Sequence, residues 1–177
     1  MRNFGSVWRL GGRAVAMVAL ACAAVAVPSD AAAQGAAVGA MAKAARVETT
    51  AGAPVDLGRY IGKEPVLMQF WAVWCSTCKE LEPKMRAAQA KYGKQVRFVG
   101  VAVGVNQSAR LVERYAAKHQ LPFEVFYDKA GDATDKFGVP ATSYIVALDA
   151  KGKIVYTGVG ADQDVDAAVR KALGDTR

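Results

Sequence analysis

Two cysteines, Cys75 and Cys78, stand three residues apart at the start of a segment whose apolar residues recur at helical spacing. Side chains at this spacing lie on one side of a helical turn, so the two sulfurs can close a small disulfide ring. At the helix start, Cys75 meets unpaired backbone N–H groups and the positive end of the helix dipole, which favour the nucleophilic thiolate. Cys78, one turn further in, is better shielded and can attack a mixed disulfide that Cys75 forms. The spacing therefore predicts thiol–disulfide exchange, with Cys75 attacking and Cys78 resolving.

Other uses of a cysteine pair fit this chain less well. A purely structural disulfide at this spacing would close a very short loop and would restrict the unfolded chain little. A structural zinc site needs about four ligands, and the chain adds only His119, for which a surface position at a helix end is the simpler interpretation. Covalent haem attachment requires a histidine directly after the second cysteine, and that residue is Lys79. The sequence therefore predicts no metal ion and no organic cofactor.

Strands alternate with helices along the chain, and a hairpin and a helix close it. The apolar run at 66–71 predicts a buried strand directly before the cysteines. Asp162 or Asp164 can cap the last helix. In chain order the predicted elements are strand 66–71, helix 76–92, strand 96–103, helix 108–119, strand 123–127, helix 130–137, strands 144–148 and 154–157, and a helix that ends at 173. This order predicts an α/β fold with a central mixed sheet flanked by helices.

The first 33 residues have the plan of a secretory signal peptide. Three arginines precede an uncharged run from 14 to 27, and the small residues at 31–33 form a cleavage pattern. We expect export, with an uncleaved membrane anchor as the alternative. Cys22 lies inside the apolar run and is expected to leave with the signal; lipidation of Cys22, the other interpretation, would tether the protein to a membrane.

The rest of the chain divides into a flexible linker over residues 34–46, rich in Ala and Gly, and one domain over 47–177. The full chain has 177 residues, of which 53% are hydrophobic and 22% charged. This composition suits a single domain with its own core. The net charge is +7, but acidic and basic residues are interspersed without a block of like charge. Nucleic-acid binding through a basic tract is therefore not expected.

The segment around the cysteines resembles the active-site segment of thioredoxins. The matching features are the strand at 66–71, Trp71, Trp74, the cysteine pair, Lys79 and Pro83. The export signal, the lead-in at 56–63 and the extra strand and helix of 123–137 are similar to the TlpA-like branch, whose members are exported, often membrane-tethered thiol-disulfide oxidoreductases. The resemblance covers about residues 47–173. It implies a thioredoxin-like fold with the extra strand and helix of that branch.

Several positions depart from the family pattern. Thioredoxins have a buried Asp six residues before the first cysteine, where this chain has Gln69. Many TlpA-like proteins have a Glu three residues after the second cysteine, where this chain has Leu81. Glu80 is then the candidate acid or base for the buried thiol, with a solvated helix face as the alternative. The residues between the cysteines, Ser76 and Thr77, also differ, and because this dipeptide tunes the redox potential in related proteins, the direction of electron flow stays open.

The family also places a cis-proline beside the cysteine pair, where its flanking backbone pairs with a substrate strand. Pro140 is the obvious counterpart, but the family spacing to the turn glycine, Gly152, falls on Ser143. Either the strand is longer or bulged and Pro140 lies at the groove, or Ser143 occupies the usual proline position. Trp74 is expected to shape the rim of the site. Trp74, Pro140 and Ser143 are therefore the predicted borders of a substrate groove.

The resemblance implies an exported enzyme that reduces protein disulfides in the periplasm and receives its electrons from an upstream dithiol partner. One alternative is a thioredoxin-like binding module that holds copper or a client protein with little turnover, although the sequence places no Met or His ligand near the cysteines. Another is a peroxidase, a class that usually has a Thr three residues before its reactive cysteine. That residue is Ala72 here, which argues against this alternative.

Overall fold

Seven strands form one mixed sheet in the computed structural model, which describes residues 35–175. The strands are β1 (Arg46–Thr49), β2 (Pro54–Asp56), β3 (Val66–Trp71), β4 (Arg97–Val103), β5 (Glu124–Asp128), β6 (Tyr144–Leu148) and β7 (Ile154–Val159). Their order across the sheet is β2-β1-β5-β4-β3-β6-β7. The neighbours β3, β4 and β5 run parallel, and every other pair is antiparallel. The mixed sheet predicted from the sequence is therefore observed.

Helices pack on both faces of β3, whose six residues are all buried. The helices are α1 (Ser76–Tyr92), α2 (Ala109–Lys118), α3 (Asp132–Lys136) and α4 (Val165–Ala172), and a short 3-10 helix spans Leu57–Arg59. Met68 and Phe70 of β3 belong to the core cluster that includes buried residues of α2 and α3. Leu67 points to the opposite face, where α1 and α4 pack. A strand covered on both faces needs apolar side chains on both, which accounts for the continuous apolar run.

The predicted bounds of β3, α1 and β6 are those observed, and the other predicted elements differ by one or two residues at an end. Asp164 caps α4, since its side chain accepts a hydrogen bond from the backbone N–H of Ala167. The sequence did not predict β1 and β2. Val47 is the only buried residue among these two short strands, so neither has the apolar pattern by which a strand is recognised.

The segment predicted as a flexible linker, residues 34–46, is attached to the edge of the sheet where the structure describes it. The backbone N–H of Gly39 donates to the carbonyl of Ile154 at 2.8 Å, and the N–H of Ile154 donates to the carbonyl of Ala40 at 2.9 Å. Ala45 is buried. These contacts could not be predicted from the sequence, because backbone hydrogen bonds to an edge strand leave no hydropathy pattern.

The predicted signal peptide of residues 1–33, with Cys22 inside it, lies outside the described residues. Between residues 35 and 175, no helix is both long enough and apolar enough to cross a membrane. The export signal therefore stays a prediction from the sequence.

Candidate active site

Helix α1 begins at the cysteine pair, directly after the turn that follows β3. Cys75 is the N-cap residue, and its Sγ accepts a hydrogen bond from the backbone N–H of Cys78 at 3.0 Å. A disulfide joins the two sulfurs, and the Cα atoms are 5.3 Å apart. When the pair is reduced, this N–H and the helix dipole favour negative charge on the sulfur of Cys75. The helix start thus lies where the cysteine spacing predicts it.

The two cysteines differ in their surroundings rather than in their exposure. Both residues are 5% exposed, whereas we expected Cys78 to be the better shielded. On the outer side of the pair, Trp74 is 47% exposed and its Nε1 donates to the carbonyl of Val105 at 2.9 Å. Val105 is also exposed. Cys75 therefore borders an apolar rim at the surface, and the predicted rim residue Trp74 lies on it.

The turn before the cysteines is held by Gln107, a residue that the sequence did not single out. Its Oε1 accepts from the backbone N–H of Val73 at 2.9 Å, and its Nε2 donates to the carbonyl of Val103. The hydroxyl of Tyr127 donates to the backbone carbonyl of Gln107 at 2.9 Å. These bonds connect the turn that leads to Cys75 with the ends of β4 and β5. No local motif marks Gln107, because two of its three partners, Val73 and Tyr127, are distant in sequence.

Behind the disulfide, Cys78 lines a small cavity inside the domain. The other lining residues are Gln69, Trp71, Glu82, Tyr115, Leu121 and Phe123. The free volume of about 10 Å³ is close to the space that one water molecule needs. Within residues 35–175, Trp71 Nε1 is the buried side-chain nitrogen or oxygen that lacks a hydrogen-bond partner. The cavity therefore combines a sulfur, a carboxylate and an unsatisfied N–H donor.

Glu82 is the acidic side chain that reaches this cavity. It lies one turn after Cys78 on α1, and its side chain is 17% exposed. Arg86 donates to one carboxylate oxygen through Nε at 3.0 Å and Nη2 at 2.7 Å, and the hydroxyl of Tyr115 donates to the other at 3.2 Å. Glu80, the predicted acid or base, is exposed on α1. It does not line the cavity that contains Cys78, and its role as an acid or base stays a prediction.

Tyr115 and His119 pack against each other and lie next to the Glu82 carboxylate. Burial, followed by the charge of Glu82, raises the pKa of Tyr115 to about 12. The hydroxyl therefore stays protonated at neutral pH and remains a donor to the carboxylate. The imidazole of His119 stacks on the Tyr115 ring with the centroids 4.0 Å apart, and its Nδ1 is 4.0 Å from Glu82 Oε1. His119 follows the last residue of α2, as expected, but it also contacts this network.

Ser143, rather than Pro140, lies next to the end of β3. Pro140 is exposed, and no peptide bond between residues 35 and 175 is cis. Ser143 is fully buried and directly precedes β6. The pairing of Phe70 with Tyr144 places Ser143 one register position further, beside the end of β3 that leads to the cysteines. Ser143 therefore lies beside the turn that leads to the cysteines, and the assignment of either residue to a substrate groove stays a prediction.

A cysteine pair at the start of a helix that follows a central strand of a mixed sheet defines a dithiol–disulfide site in a thioredoxin-like fold. Comparison with protein families agrees with this class, since residues 37–173 match the Redoxin family. The match covers most of the chain, and the protein belongs to this family. The resemblance to thioredoxin-fold thiol-disulfide oxidoreductases that the sequence showed is thereby confirmed at the level of the family.

Two curated relatives are similar over part of their length. The thioredoxin-like protein YneN of Bacillus subtilis is 31% identical over 115 residues, which are 64% of this chain and 66% of that protein. The thiol-disulfide oxidoreductase ResA of Oceanobacillus iheyensis is 34% identical over 83 residues, which are 46% of this chain and 43% of that protein. The chain therefore spans less than two thirds of the length of either relative.

Solved structures share the fold. A thiol:disulfide interchange protein of the thioredoxin family from Chlorobium tepidum has a TM-score of 0.62 and 25% identity, over 78% of this chain and 99% of that chain. A secreted Mycobacterium tuberculosis disulfide oxidoreductase homologous to E. coli DsbE has a TM-score of 0.60 and 25% identity, over 72% of this chain and 94% of that chain. These likenesses confirm the predicted thioredoxin-like fold.

Proposed function

We propose that this protein is an exported thiol-disulfide oxidoreductase that reduces disulfides in other proteins. The observation that carries the proposal is the hydrogen bond from the Cys78 N–H to the Cys75 Sγ at the start of α1, because it favours the thiolate of the cysteine beside the exposed rim. Membership of the Redoxin family and the likeness to proteins named thiol-disulfide oxidoreductases support the same activity.

The exchange proceeds through a mixed disulfide. The Cys75 thiolate attacks one sulfur of the substrate disulfide, and the other substrate sulfur leaves as a thiolate that takes up a proton. Cys78 then loses its proton, attacks the Cys75 sulfur and displaces the second substrate thiolate. The substrate has gained two electrons, and the protein is left with the Cys75–Cys78 disulfide that the structure contains. An upstream dithiol partner returns the pair to the reduced state, and no organic cofactor takes part.

Glu82 is proposed to accept the proton of Cys78 in the second step. The two residues line the same cavity, and Gln69, where thioredoxins have an Asp, is uncharged. The volume of the cavity matches one water molecule, which the N–H of Trp71 could hold between the thiol and the carboxylate. Arg86 and Tyr115 keep the carboxylate in one orientation. A positioned carboxylate of this kind accelerates proton transfer.

We propose that electrons flow from the protein to its substrates and that the reaction takes place in the periplasm. The predicted signal peptide supports export, as does the likeness to the secreted Mycobacterium tuberculosis disulfide oxidoreductase. Protein disulfides are the proposed substrates because the apolar rim formed by Trp74 and Val105 offers contact area beyond the sulfurs. Ser143 borders the opposite side of the groove.

The activity is tested by following the reduction of insulin disulfides by dithiothreitol with the purified protein, the Cys75→Ser variant and the Cys78→Ser variant. We expect turnover by the unaltered protein and none by either variant. Copper(I) binding and peroxide consumption are measured in parallel. Tight copper binding without turnover would replace the proposal by the binding module, and peroxide consumption that outpaces disulfide reduction would replace it by the peroxidase.

A further inference from the structure

Ser143 has a backbone conformation that serine seldom adopts. Its φ is 63°, in the left-handed region, and the residue is fully buried. It lies beside the end of β3, from which the chain continues to Cys75. A strained residue of this kind persists only when its surroundings hold it in place. The contacts of Ser143 should therefore show what fixes the backbone at this edge of the site.

Three hydrogen bonds connect Ser143 with the turn that follows β7, and a fourth closes the turn itself. The Ser143 hydroxyl donates to the carbonyl of Gly160 at 3.2 Å, and the N–H of Gly160 donates to the carbonyl of Ser143 at 3.1 Å. The side-chain amide of Gln163 then donates to both carbonyls, at 2.9 Å to Ser143 and 2.7 Å to Gly160. One amide group therefore joins the loop before β6 to the turn after β7.

Gln163 is closely packed in this position. It is 8% exposed, and the hydroxyl of Tyr156 lies 3.4 Å from its Oε1. A Cβ atom at Gly158 would lie 2.5 Å from the same oxygen, which is too close for a carbon atom. The glycine at this position of β7 therefore leaves room for the Gln163 side chain. Lys84 of α1 donates to the carbonyl of Ala161 at 2.8 Å, which ties the turn to the helix that begins at the cysteines.

We propose that Gln163 is a positioning residue for protein substrates and that it acts through Ser143. The hydroxyl and the carbonyl of Ser143 are both bonded to the turn after β7. The preceding residue, Thr142, is part-exposed, and its backbone is the proposed docking segment beside the end of β3. An extended segment of a substrate protein pairs with that backbone as it would with an edge strand. The inference rests on the proposed disulfide exchange and adds the residue that sets affinity for protein substrates.

The proposed role of Gln163 predicts different effects on protein disulfides and on small disulfides. A protein disulfide reaches Cys75 with its flanking backbone docked beside Thr142, so its binding depends on the geometry that Gln163 fixes. The small aromatic disulfide DTNB has no peptide backbone to dock and meets only the sulfur and the apolar rim. Loss of the Gln163 amide should therefore change the reaction with insulin and leave the reaction with DTNB unaltered.

The test is the Gln163→Met variant, which keeps the length of the side chain and removes its donors. The loss of hydrogen bonds that orient the docking loop is expected to raise the KM for insulin about fivefold, while kcat stays within about twofold. The rate with DTNB and the equilibrium constant with glutathione should stay within about twofold. Gln95→Met, the same change at an exposed residue, is the matched control.

An unchanged KM in a folded Gln163→Met protein would overturn the proposal. Equal losses with insulin and DTNB would also overturn it, because they would show that Gln163 supports the cysteine site as a whole. If Gln163→Met does not unfold cooperatively, Gln163→Glu takes its place, since it keeps the size and removes the amide donors, and the same rise in KM is required. Failure of the unaltered protein with both disulfides would instead remove the proposed function on which the inference rests.

Discussion

The two sides of the cysteine site are held by interactions of different range. On the cysteine side, the N–H of Cys78 bonds the sulfur of Cys75, and this bond follows from starting a helix at that residue. On the opposite side, Ser143 is bonded to Gly160 and Gln163, which are 17 and 20 residues away along the chain. The first arrangement is encoded locally, whereas the second exists only once β6, β7 and α4 have packed.

This difference implies that sulfur chemistry and substrate docking can be altered separately. Changes on the cysteine side should affect the reaction with every disulfide, since each must meet the same thiolate. Changes on the Ser143 side should affect the binding of protein substrates. The comparison fails if the two groups of variants behave alike.

The largest effect is expected at the cysteines. Cys75→Ser removes the nucleophile and should lower the rate with both insulin and DTNB by at least about 10³-fold. Cys78→Ser leaves the nucleophile but blocks resolution, so the mixed disulfide with insulin should accumulate and appear on a non-reducing gel. Exchange activity that survives in Cys75→Ser would contradict the assignment of the attacking thiol.

The next effect is expected at Glu82. Glu82→Gln keeps the shape and removes the proton acceptor, so resolution of the mixed disulfide should slow by about 100-fold at neutral pH. The defect should shrink as the pH rises, because solvent hydroxide can then take the proton of Cys78. Stopped-flow kinetics of resolution across pH measures both. Glu80→Gln is the control, and an equal defect in that variant would show that the internal carboxylate has no special role.

A smaller effect is expected when the turn before Cys75 loses its support. Gln107→Met leaves the part-buried N–H of Val73 without its partner and should lower the free energy of unfolding by about 1–3 kcal/mol. Urea denaturation measures the loss. Because the turn belongs to the cysteine side, the rates with insulin and DTNB should fall together. A rise in the KM for insulin alone would contradict the division of the site into two sides.

The smallest effect is expected at an ion pair between α1 and α4. Hydrogen bonds from Lys91 and then Tyr92 lower the pKa of Asp166. A lowered folded-state pKa contributes stability above the unfolded pKa, and this contribution is lost as the pH falls through the folded value. The pair is exposed, so Asp166→Asn should lower the Tm at pH 7 by roughly 1–3 °C and less below pH 3. Thermal scans at both pH values check this, and an equal loss of Tm at pH 7 and below pH 3 would contradict the ion pair as its cause.

The sequence predicts those parts of the fold whose burial leaves a pattern. The five apolar residues of β3, which flank Gln69, and the helical spacing of α1 predict the bounds of both elements. The attachment of Gly39 to Ile154 could not be predicted, because it uses backbone groups that every residue possesses. The same reason hides β1 and β2, which owe their place to pairing with β5 and with each other.

The residues of the candidate site can likewise be predicted only where a local pattern marks them. Helical spacing could have selected Glu82 over Glu80, since a residue four positions after Cys78 shares its helix face, but the family pattern drew attention to the position of Leu81. Gln107 and Gln163 carry no such signal. Each side-chain amide bonds at least one residue that is distant in sequence, so only the folded arrangement identifies it.

The central claim is that Cys75 and Cys78 form a redox pair that donates electrons to protein disulfides. The most direct test is to equilibrate the purified protein with dithiothreitol and glutathione buffers of known potential and to count the free thiols. We expect one reversible transition below about −230 mV, in the range of thioredoxin-like reductants. A transition above about −150 mV would contradict the reducing direction, and the absence of any transition would contradict thiol-disulfide exchange itself.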